Sequence, residues 1–457
     1  MSAQPSVARS YDGLPVVVTG AGVSGTGVAR VLRDLGARVT VLDARAEALE
    51  ALATQGFAIA NELPAEVAQV VTSPGWRPSS PLLVQAAARD IEVLGEVELA
   101  WRLRGPGAAP WLAVTGTNGK TTTVRMLEAV LHAAGHRAVA AGNVGLPLLE
   151  AVLHPEPYDV LAVELSSFQL HWSSTLAPYA GALLNVADDH TDWHGSFQAY
   201  ALDKGRIFAG GTSIGNADDE VSRVLLNRAA GRRATFTLRV PRTGELGLVD
   251  HLLVDRAFPD VAGEATELAS LADLAVPGAH NVSNALAAAA LARSYGVPAE
   301  SVRDGLRAFS PDPHRNALVR VHDDVSWVDD SKATNPHAAA ASLAAYEPVV
   351  WIAGGLLKGA DVEDLVRQAA PGLRAAVLLG TDRAALLDAL RRHAPEVPVV
   401  QVGRLDTGAM SEIVIAAQQL AQPGDTVLLA PAAASMDCFR DYAERGELFA
   451  ACVQALA

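Results

Sequence analysis

At 457 residues, the chain is too long for one ordinary core and calls for two or three domains of roughly 150 residues each. Its formal net charge of -15 opposes a nucleic-acid partner, which needs a basic footprint, so anionic ligands must be held by local devices. Gly, Pro and charged residues break every apolar run short of the about 20 residues of a spanning helix, Met1–Leu14 lacks the pattern of a signal peptide, and the two cysteines, Cys438 and Cys452, suit a reducing cytoplasm.

Short β-branched runs alternate with Ala/Leu-rich stretches along the whole chain, the pattern of parallel α/β sheets. Pro15–Thr19 reads as a buried strand that runs into Gly20-Ala21-Gly22-Val23-Ser24-Gly25, a G-x-G-x-x-G turn opening an amphipathic helix. The glycines allow close backbone approach, and the N–H groups of the helix start attract an anion. A second strand, Val39–Leu42, ends at Asp43, near the distance at which a carboxylate meets a ribose. Taken alone this turn says NAD, but other diphosphates and a ligand-free tight turn are compatible with it. Gly105-Pro106-Gly107-Ala108-Ala109-Pro110 breaks both helix and strand, and the first domain is placed at residues 1–107.

A second domain is placed at residues 108–310. It opens with strand Trp111–Thr115, then Gly116-Thr117-Asn118-Gly119-Lys120-Thr121-Thr122, then a helical run from Val124. Backbone amides of such a loop can cradle phosphates, Lys120 can neutralise the charge between the β and γ positions, and Thr121 or Thr122 can ligate Mg²⁺. Val114 replaces the first glycine of the strict motif, which disfavours ordinary P-loop NTPases.

Next, strand Val160–Val163 delivers Glu164 at its carboxyl end, followed by Leu165-Ser166-Ser167-Phe168-Gln169, and strand Gly181–Val186 ends in Ala187-Asp188-Asp189-His190. Glu164 and His190 would leave the same sheet edge as the Lys120 loop, where they could bind one or two Mg²⁺ ions, two being the expected number. Lys204 falls on a helix after the acidic turn. Of 36 basic residues only Lys120, Lys204, Lys332 and Lys358 are lysines, so each marks a place where a compact, deprotonatable amine is wanted. An amine near Mg²⁺ can react with CO₂ to give a carbamate, which is the expectation for Lys204. Pro277-Gly278-Ala279-His280-Asn281 starts a long Ala-rich helix, in which Asn281 and Asn284 either cap the helix or present amides to adenine and phosphate.

Pro311-Asp312-Pro313 marks the next break, and a third domain is placed at residues 311–457 with strands at Val349–Ala353, Ala375–Leu379 and Thr426–Ala430. A dicarboxylate ligand would find a cation and a hydroxyl at Lys332 and Thr334, and a second cation at Lys358 on the turn Gly354-Gly355-Leu356-Leu357-Lys358-Gly359.

The ordered set Gly116–Thr121, Glu164–Gln169, Asp189-His190, His280-Asn281 with Asn284, and Pro313-His314-Arg315 resembles the Mur ligase family over nearly the whole chain. The resemblance implies an α/β fold of three domains: a Rossmann-like N-terminal domain for a UDP-sugar, a central P-loop-type ATPase domain, and a Rossmann-like C-terminal domain for an amino acid. It implies ATP-dependent activation of a carboxylate as an acyl phosphate, then attack by an amine through a tetrahedral intermediate. Trp327-Val328-Asp329-Asp330-Ser331-Lys332-Ala333-Thr334-Asn335-Pro336 resembles the D-glutamate-adding branch, with UDP-N-acetylmuramoyl-L-alanine as the acceptor.

By the same resemblance Val23, Ser24, Asp43, Arg45, Ser73, Pro74, Gly75, Asn143, Ser166 and His190 meet the UDP-substrate, and Arg315 and Asp330 meet ATP. Lys332, Thr334, Lys358, Ser435 and Tyr442 meet D-glutamate, and the Lys204 segment matches a carbamylated lysine. A monomer that closes its domains during turnover is expected. Three competing readings are a nicotinamide oxidoreductase, a folylpolyglutamate synthetase-like ligase without the N-terminal diphosphate turn, and a non-catalytic nucleotide-binding regulator. The set of four lysines argues against the last.

Overall fold

The β-branched runs form three sheets in the computed structural model, which describes residues 11–261, 263–276, 278–311 and 313–456. The start of Met1–Leu14, Pro277 of the helix entry and Asp312 of the second break lie outside the described residues. The first sheet is all parallel, in the order Ala58–Ile59, Arg38–Leu42, Pro15–Thr19, Gln69–Thr72, Glu92–Gly95. Its connectivity reverses between Pro15–Thr19 and Gln69–Thr72, the kind of switch point outside which open α/β sheets bind ligands.

The second sheet has nine strands, with Trp111–Thr115 between Ala180–Leu183 and Val160–Glu164. Every residue of Trp111–Thr115 is buried, as a parallel strand covered on both faces must be. The reading of that strand holds to the residue. The reading of Gly181–Val186 does not, because pairing spans Ala180–Leu183, and Asn185 beyond it turns its side chain to the neighbouring loop. Helix Ala299–Ala308 lies against helix Lys120–Ala133 at Gly305, where a Cβ would stand 2.3 Å from the Val130 Cα. The two glycine-loop sheets belong to one unit, residues 1–273 with 283–309. Buried Glu98 of helix Glu96–Leu103 ties them, accepting from the backbone N–H groups of Ser174 and Thr175 at 2.9 and 3.0 Å.

The other unit, residues 274–282 with 310–457, holds the third sheet. Its order is Ala317–His322, Val325–Asp329, Thr426–Leu429, Val349–Gly354, Leu373–Leu379, Val399–Gln401. All strands are parallel except Ala317–His322, which forms a hairpin with its neighbour through Asp323-Asp324, both left-handed at φ 51° and 61° as a tight two-residue turn requires. Trp327 and Trp351 fill the two faces of the sheet, with the Trp351 indole donating to the Ala430 carbonyl at 2.7 Å.

Candidate active site

The first glycine turn is built to receive an anion. Gly20 is left-handed (φ 101°), and a Cβ there would meet the Ser73 Oγ at 2.4 Å, so only glycine lets the two loops close together. Helix Val23–Asp34 starts without a side-chain cap and without an acidic residue in its first turn, so its N–H groups keep their pull on an anion. Asp43 accepts from the Ala21 N–H at 2.6 Å and from Arg45 at 2.9 Å, which fixes the turn and holds the carboxyl well below the usual range. Val23 is exposed. The Ser24 hydroxyl bonds Glu96, whose carboxyl is pushed up by burial. Ser73, Pro74 and Gly75 lie on the facing loop, where the Gly75 carbonyl accepts from the Trp193 indole at 3.4 Å.

In the second loop, helix Lys120–Ala133 begins at Lys120 and not at Val124, capped by left-handed Gly119 (φ 83°) with no side-chain partner. The amine of Lys120 folds back on the loop, donating to the carbonyls of Gly116 and Thr117 at 2.9 Å each. Asn185 braces the loop from both sides, accepting from the Asn118 N–H at 2.9 Å and donating to its carbonyl at 3.1 Å. Thr117 is held by the Tyr200 hydroxyl at 2.9 Å, and Thr122 is half-buried beside Thr121. Asn281 and Asn284 are inside helix Ala279–Ser294, at its third and sixth positions, so neither is its N-cap. Asn284 instead faces the loop: a Cβ on Gly119 would stand 2.3 Å from its Oδ1.

The carboxyl ends of the flanking strands meet this loop. Buried Glu164 accepts from the Thr121 hydroxyl at 2.8 Å and the Asn143 amide at 2.9 Å. Its carboxylate and the Thr121 hydroxyl make an oxygen donor set of the kind a hard divalent cation takes. Lys204, on helix Phe197–Gly205, is 2% exposed and donates to the Gly116 carbonyl at 2.7 Å. Burial, reinforced by the nearby Lys120 charge, holds its amine well below the usual lysine range. His190 is left-handed (φ 52°) and half-exposed, its ring tilted against Phe168 with ring centres 4.8 Å apart. Burial lowers its affinity for a proton, and Lys204, Lys120 and His194 lower it further against Asp189. Ser166 caps helix Ser167–His171 in a capping box with Gln169.

In the other unit a second cluster forms around Asp330-Ser331-Lys332. The Lys332 amine sits 3.6 Å above the Tyr442 ring. Asp330 is buried, accepts from Ser342 and from the Asn316 N–H, and is pushed up to about 6 by that burial. Half-buried Arg315 lies between His314 and Asn316, both left-handed at φ 64° and 47°. Lys358 is exposed and left-handed (φ 54°) on its glycine turn, Thr334 is half-buried, and Ser435 is buried. The Lys358 turn is pinned to the Ser435 loop, with Leu356 and Ala434 exchanging N–H···O bonds at 2.8 and 3.0 Å. That approach requires glycine at 355, where a Cβ would meet the Ala434 carbonyl at 2.2 Å, and in the facing run Ala432 and Ala433 are buried. Leu357 is buried in the apolar core of the unit.

Comparison with known proteins decides the family. Residues 15–95 match the Mur ligase MurD-like N-terminal domain, 114–292 the Mur ligase middle domain and 314–433 the Mur ligase glutamate ligase domain. A UDP-N-acetylmuramoylalanine--D-glutamate ligase from Thermobifida fusca is 60% identical over 97% of this chain and 99% of that protein. One of the same name from Streptomyces avermitilis is 55% identical over 98% of this chain and 99% of that protein. The chain belongs to the Mur ligase family.

Its fold agrees: MurF from Acinetobacter baumannii superposes with a TM-score of 0.61 at 18% identity, covering 96% of this chain and 93% of that one. A matched N-terminal domain also sets this Mur ligase apart from a folylpolyglutamate synthetase-like ligase, which would not need the diphosphate turn. Two residues of this Mur ligase escaped the sequence reading. Asn185 left a trace, an amide where an apolar strand runs out. Arg445 is a fully buried cation on helix Tyr442–Gln454 that donates to Ser331 Oγ at 2.9 Å, the Ser331 carbonyl at 2.8 Å and the Ala433 carbonyl at 3.2 Å. Nothing in a helical Arg-Gly pair announces such a role.

Proposed function

We propose that this Mur ligase adds D-glutamate to UDP-N-acetylmuramoyl-L-alanine in peptidoglycan precursor synthesis, releasing ADP and phosphate. As a Mur ligase it is ATP-dependent. The acceptor carboxylate takes the γ-phosphoryl group, and the D-glutamate amine then attacks the acyl phosphate through a tetrahedral intermediate. The observation that carries this reading is the convergence on the Gly116 carbonyl of two rare lysines, Lys120 and Lys204, at 2.9 and 2.7 Å. Lys120 brings positive charge to where a polyphosphate would lie, and the same carbonyl holds the buried Lys204 amine beside it.

In this reading Gly116, Thr117, Asn118, Gly119, Thr121 and Thr122 cradle the ATP phosphates and Lys120 swings from the loop carbonyls onto them. Asn281, Asn284, Arg315 and Asp330 complete the ATP contacts. Thr121, Glu164, His190 and Lys204 as a carbamate hold Mg²⁺, expected as two ions. Bound there, Mg²⁺ neutralises charge on the transferring phosphoryl group. The carbamate forms when the neutral Lys204 amine attacks CO₂, making an N–C bond and giving its proton to solvent. A buried amine held low is prepared for that step, since it is unprotonated for a larger fraction of the time.

Val23, Ser24, Asp43, Arg45, Ser73, Pro74 and Gly75 are assigned to the uridine diphosphate, and Asn143, Ser166 and His190 to the rest of that substrate. Lys332, Thr334, Lys358, Ser435 and Tyr442 are assigned to D-glutamate. Domain limits of 1–107, 108–310 and 311–457, a monomeric state and a cytoplasmic location belong to the same proposal. Among the described residues no helix is long and apolar enough to cross a membrane. Phosphate release from ATP with UDP-N-acetylmuramoyl-L-alanine, tested against D-glutamate, L-glutamate and glycine, checks the assignment. Release confined to D-glutamate supports it, and release with glycine alone contradicts it.

A further inference from the structure

The residue before Lys204 belongs to a buried polar chain that the reaction as proposed does not use. Asp203 Oδ2 accepts from His171 Nδ1 at 2.8 Å and from His194 Nδ1 at 2.9 Å, and His194 Nε2 lies 3.0 Å from Ser167 Oγ. The His194 side chain is fully buried, Asp203 nearly so, and Ser167 is 2% exposed. An ionised carboxylate only accepts, so both Nδ1 atoms carry hydrogen. A neutral His194 then offers its Nε2 lone pair to the Ser167 hydroxyl, and every polar atom along Ser167–His194–Asp203 is satisfied.

Two His and one Asp so close together raise the possibility of a metal cage, and the spacing argues against it. Ligand atoms about 2.0 to 2.1 Å from a tetrahedral ion stand about 3.3 Å apart. The observed 2.8 and 2.9 Å are hydrogen-bond distances.

What the chain connects is more informative. Ser167 stands three residues after Glu164, His194 four after His190, and Asp203 one before Lys204. One row of hydrogen bonds therefore fastens the three separate segments that carry the assigned metal ligands. Phe168 packs parallel to the His194 ring with centres 5.4 Å apart. A buried polar network is an uneconomical way to gain stability compared with apolar packing, but it selects one relative placement of the segments it joins.

We propose that Ser167, His194 and Asp203 are positioning residues that hold Glu164, His190 and Lys204 in register for the metal. This rests on the assignment of those three as ligands. Breaking the chain should then weaken metal binding and carbamate formation while leaving the amino-acid subsite alone.

The test uses the full-length protein as His194→Ala, His194→Asn and Asp203→Asn. Asn can keep the donor to Asp203, whereas Ala cannot. Mn²⁺ affinity in the presence of ADP is read by paramagnetic resonance, the Lys204 carbamate by NMR with labelled bicarbonate, and KM for D-glutamate by steady-state assay. The expected result is a Mn²⁺ Kd raised about 10-fold or more in His194→Ala and Asp203→Asn, in the range seen when groups behind metal ligands are removed. His194→Asn should recover most of that loss, and KM for D-glutamate should stay within about 2-fold. An unchanged Mn²⁺ Kd in folded Asp203→Asn would overturn the proposal, as would a fall in metal affinity that His194→Asn does not relieve. A wild-type protein with no carbamate signal but normal Mn²⁺ binding would overturn the carbamate reading instead, and the positioning role is then judged on the Mn²⁺ shift alone. Should His194→Ala not fold, the near-isosteric Asp203→Asn carries the test.

Discussion

The Thr121 hydroxyl donates to Glu164 Oε2 at 2.8 Å, joining the first turn of the helix after the glycine loop to the carboxyl end of the adjacent strand. The bond places a hydroxyl oxygen and a carboxylate oxygen side by side next to the phosphate loop. Glu164→Gln preserves the shape and removes the charge. It should lower kcat on the order of 100-fold and raise the Mg²⁺ concentration needed for half-maximal rate, with little change in thermal unfolding. A Mg²⁺ titration of the purified variant checks this.

Lys204→Arg keeps a cation but cannot form a carbamate and must fit a larger fork into a site that leaves the lysine 2% exposed. Activity should fall by at least about 100-fold, without rescue by bicarbonate. Near-normal turnover in that variant would rule out a carbamate at Lys204.

Gly119→Ala adds a Cβ 2.3 Å from Asn284 Oδ1 at a residue with φ 83°. Strain of about 1 to 3 kcal/mol should appear in urea unfolding, and ATP should bind more weakly because the loop amides are turned. Pairing it with Asn284→Ala relieves the clash and leaves the left-handed strain, so stability should recover only in part.

How far the sequence could be read depends on whether a residue acts through its neighbours in the chain or through space. Strand Trp111–Thr115 and the loop after it were legible because a buried parallel strand and a glycine turn leave local marks. The start of the helix at Lys120 was misplaced because Thr121, Thr122 and Thr123 are weak helix formers, and the fold overrides that preference by using Thr121 and Thr123 as hydrogen-bond donors. Asn284 was ambiguous for a related reason: only the three-dimensional structure shows an asparagine inside the helix facing Gly119. Arg445 was invisible, since its partners Ser331 and Ala433 come from two other loops.

Arg445 suggests its own experiment. It braces the Lys332 and Ser435 loops with a planar fork to three acceptors, and burial holds it down to about 10. Arg445→Lys cannot span those acceptors. KM for D-glutamate should rise on the order of 10-fold or more, as expected from a lost buried charge-assisted contact, with KM for UDP-N-acetylmuramoyl-L-alanine changed by less than about 3-fold.

Asp330 predicts a pH dependence. Burial raises its carboxyl from 3.8 to about 6, so between those pH values the folded protein holds a proton that the unfolded chain has released. Stability contributed by this group is present in acid and is lost as pH rises through about 6, on the order of 3 kcal/mol at most. Urea midpoints measured from pH 4 to pH 7 should fall less steeply with rising pH in Asp330→Asn than in the wild type, and parallel curves would contradict the shift.

In the proposed reaction the Lys120 loop delivers the γ-phosphoryl group of ATP to an acid that is then joined to D-glutamate. Mass-resolved product formation from ATP, UDP-N-acetylmuramoyl-L-alanine and D-glutamate, compared between wild type and a folded Lys120→Met variant, tests it most directly. The wild type should yield UDP-N-acetylmuramoyl-L-alanyl-D-glutamate and the variant none above background. Equal product from both, or a wild type that makes none with D-glutamate, would contradict it.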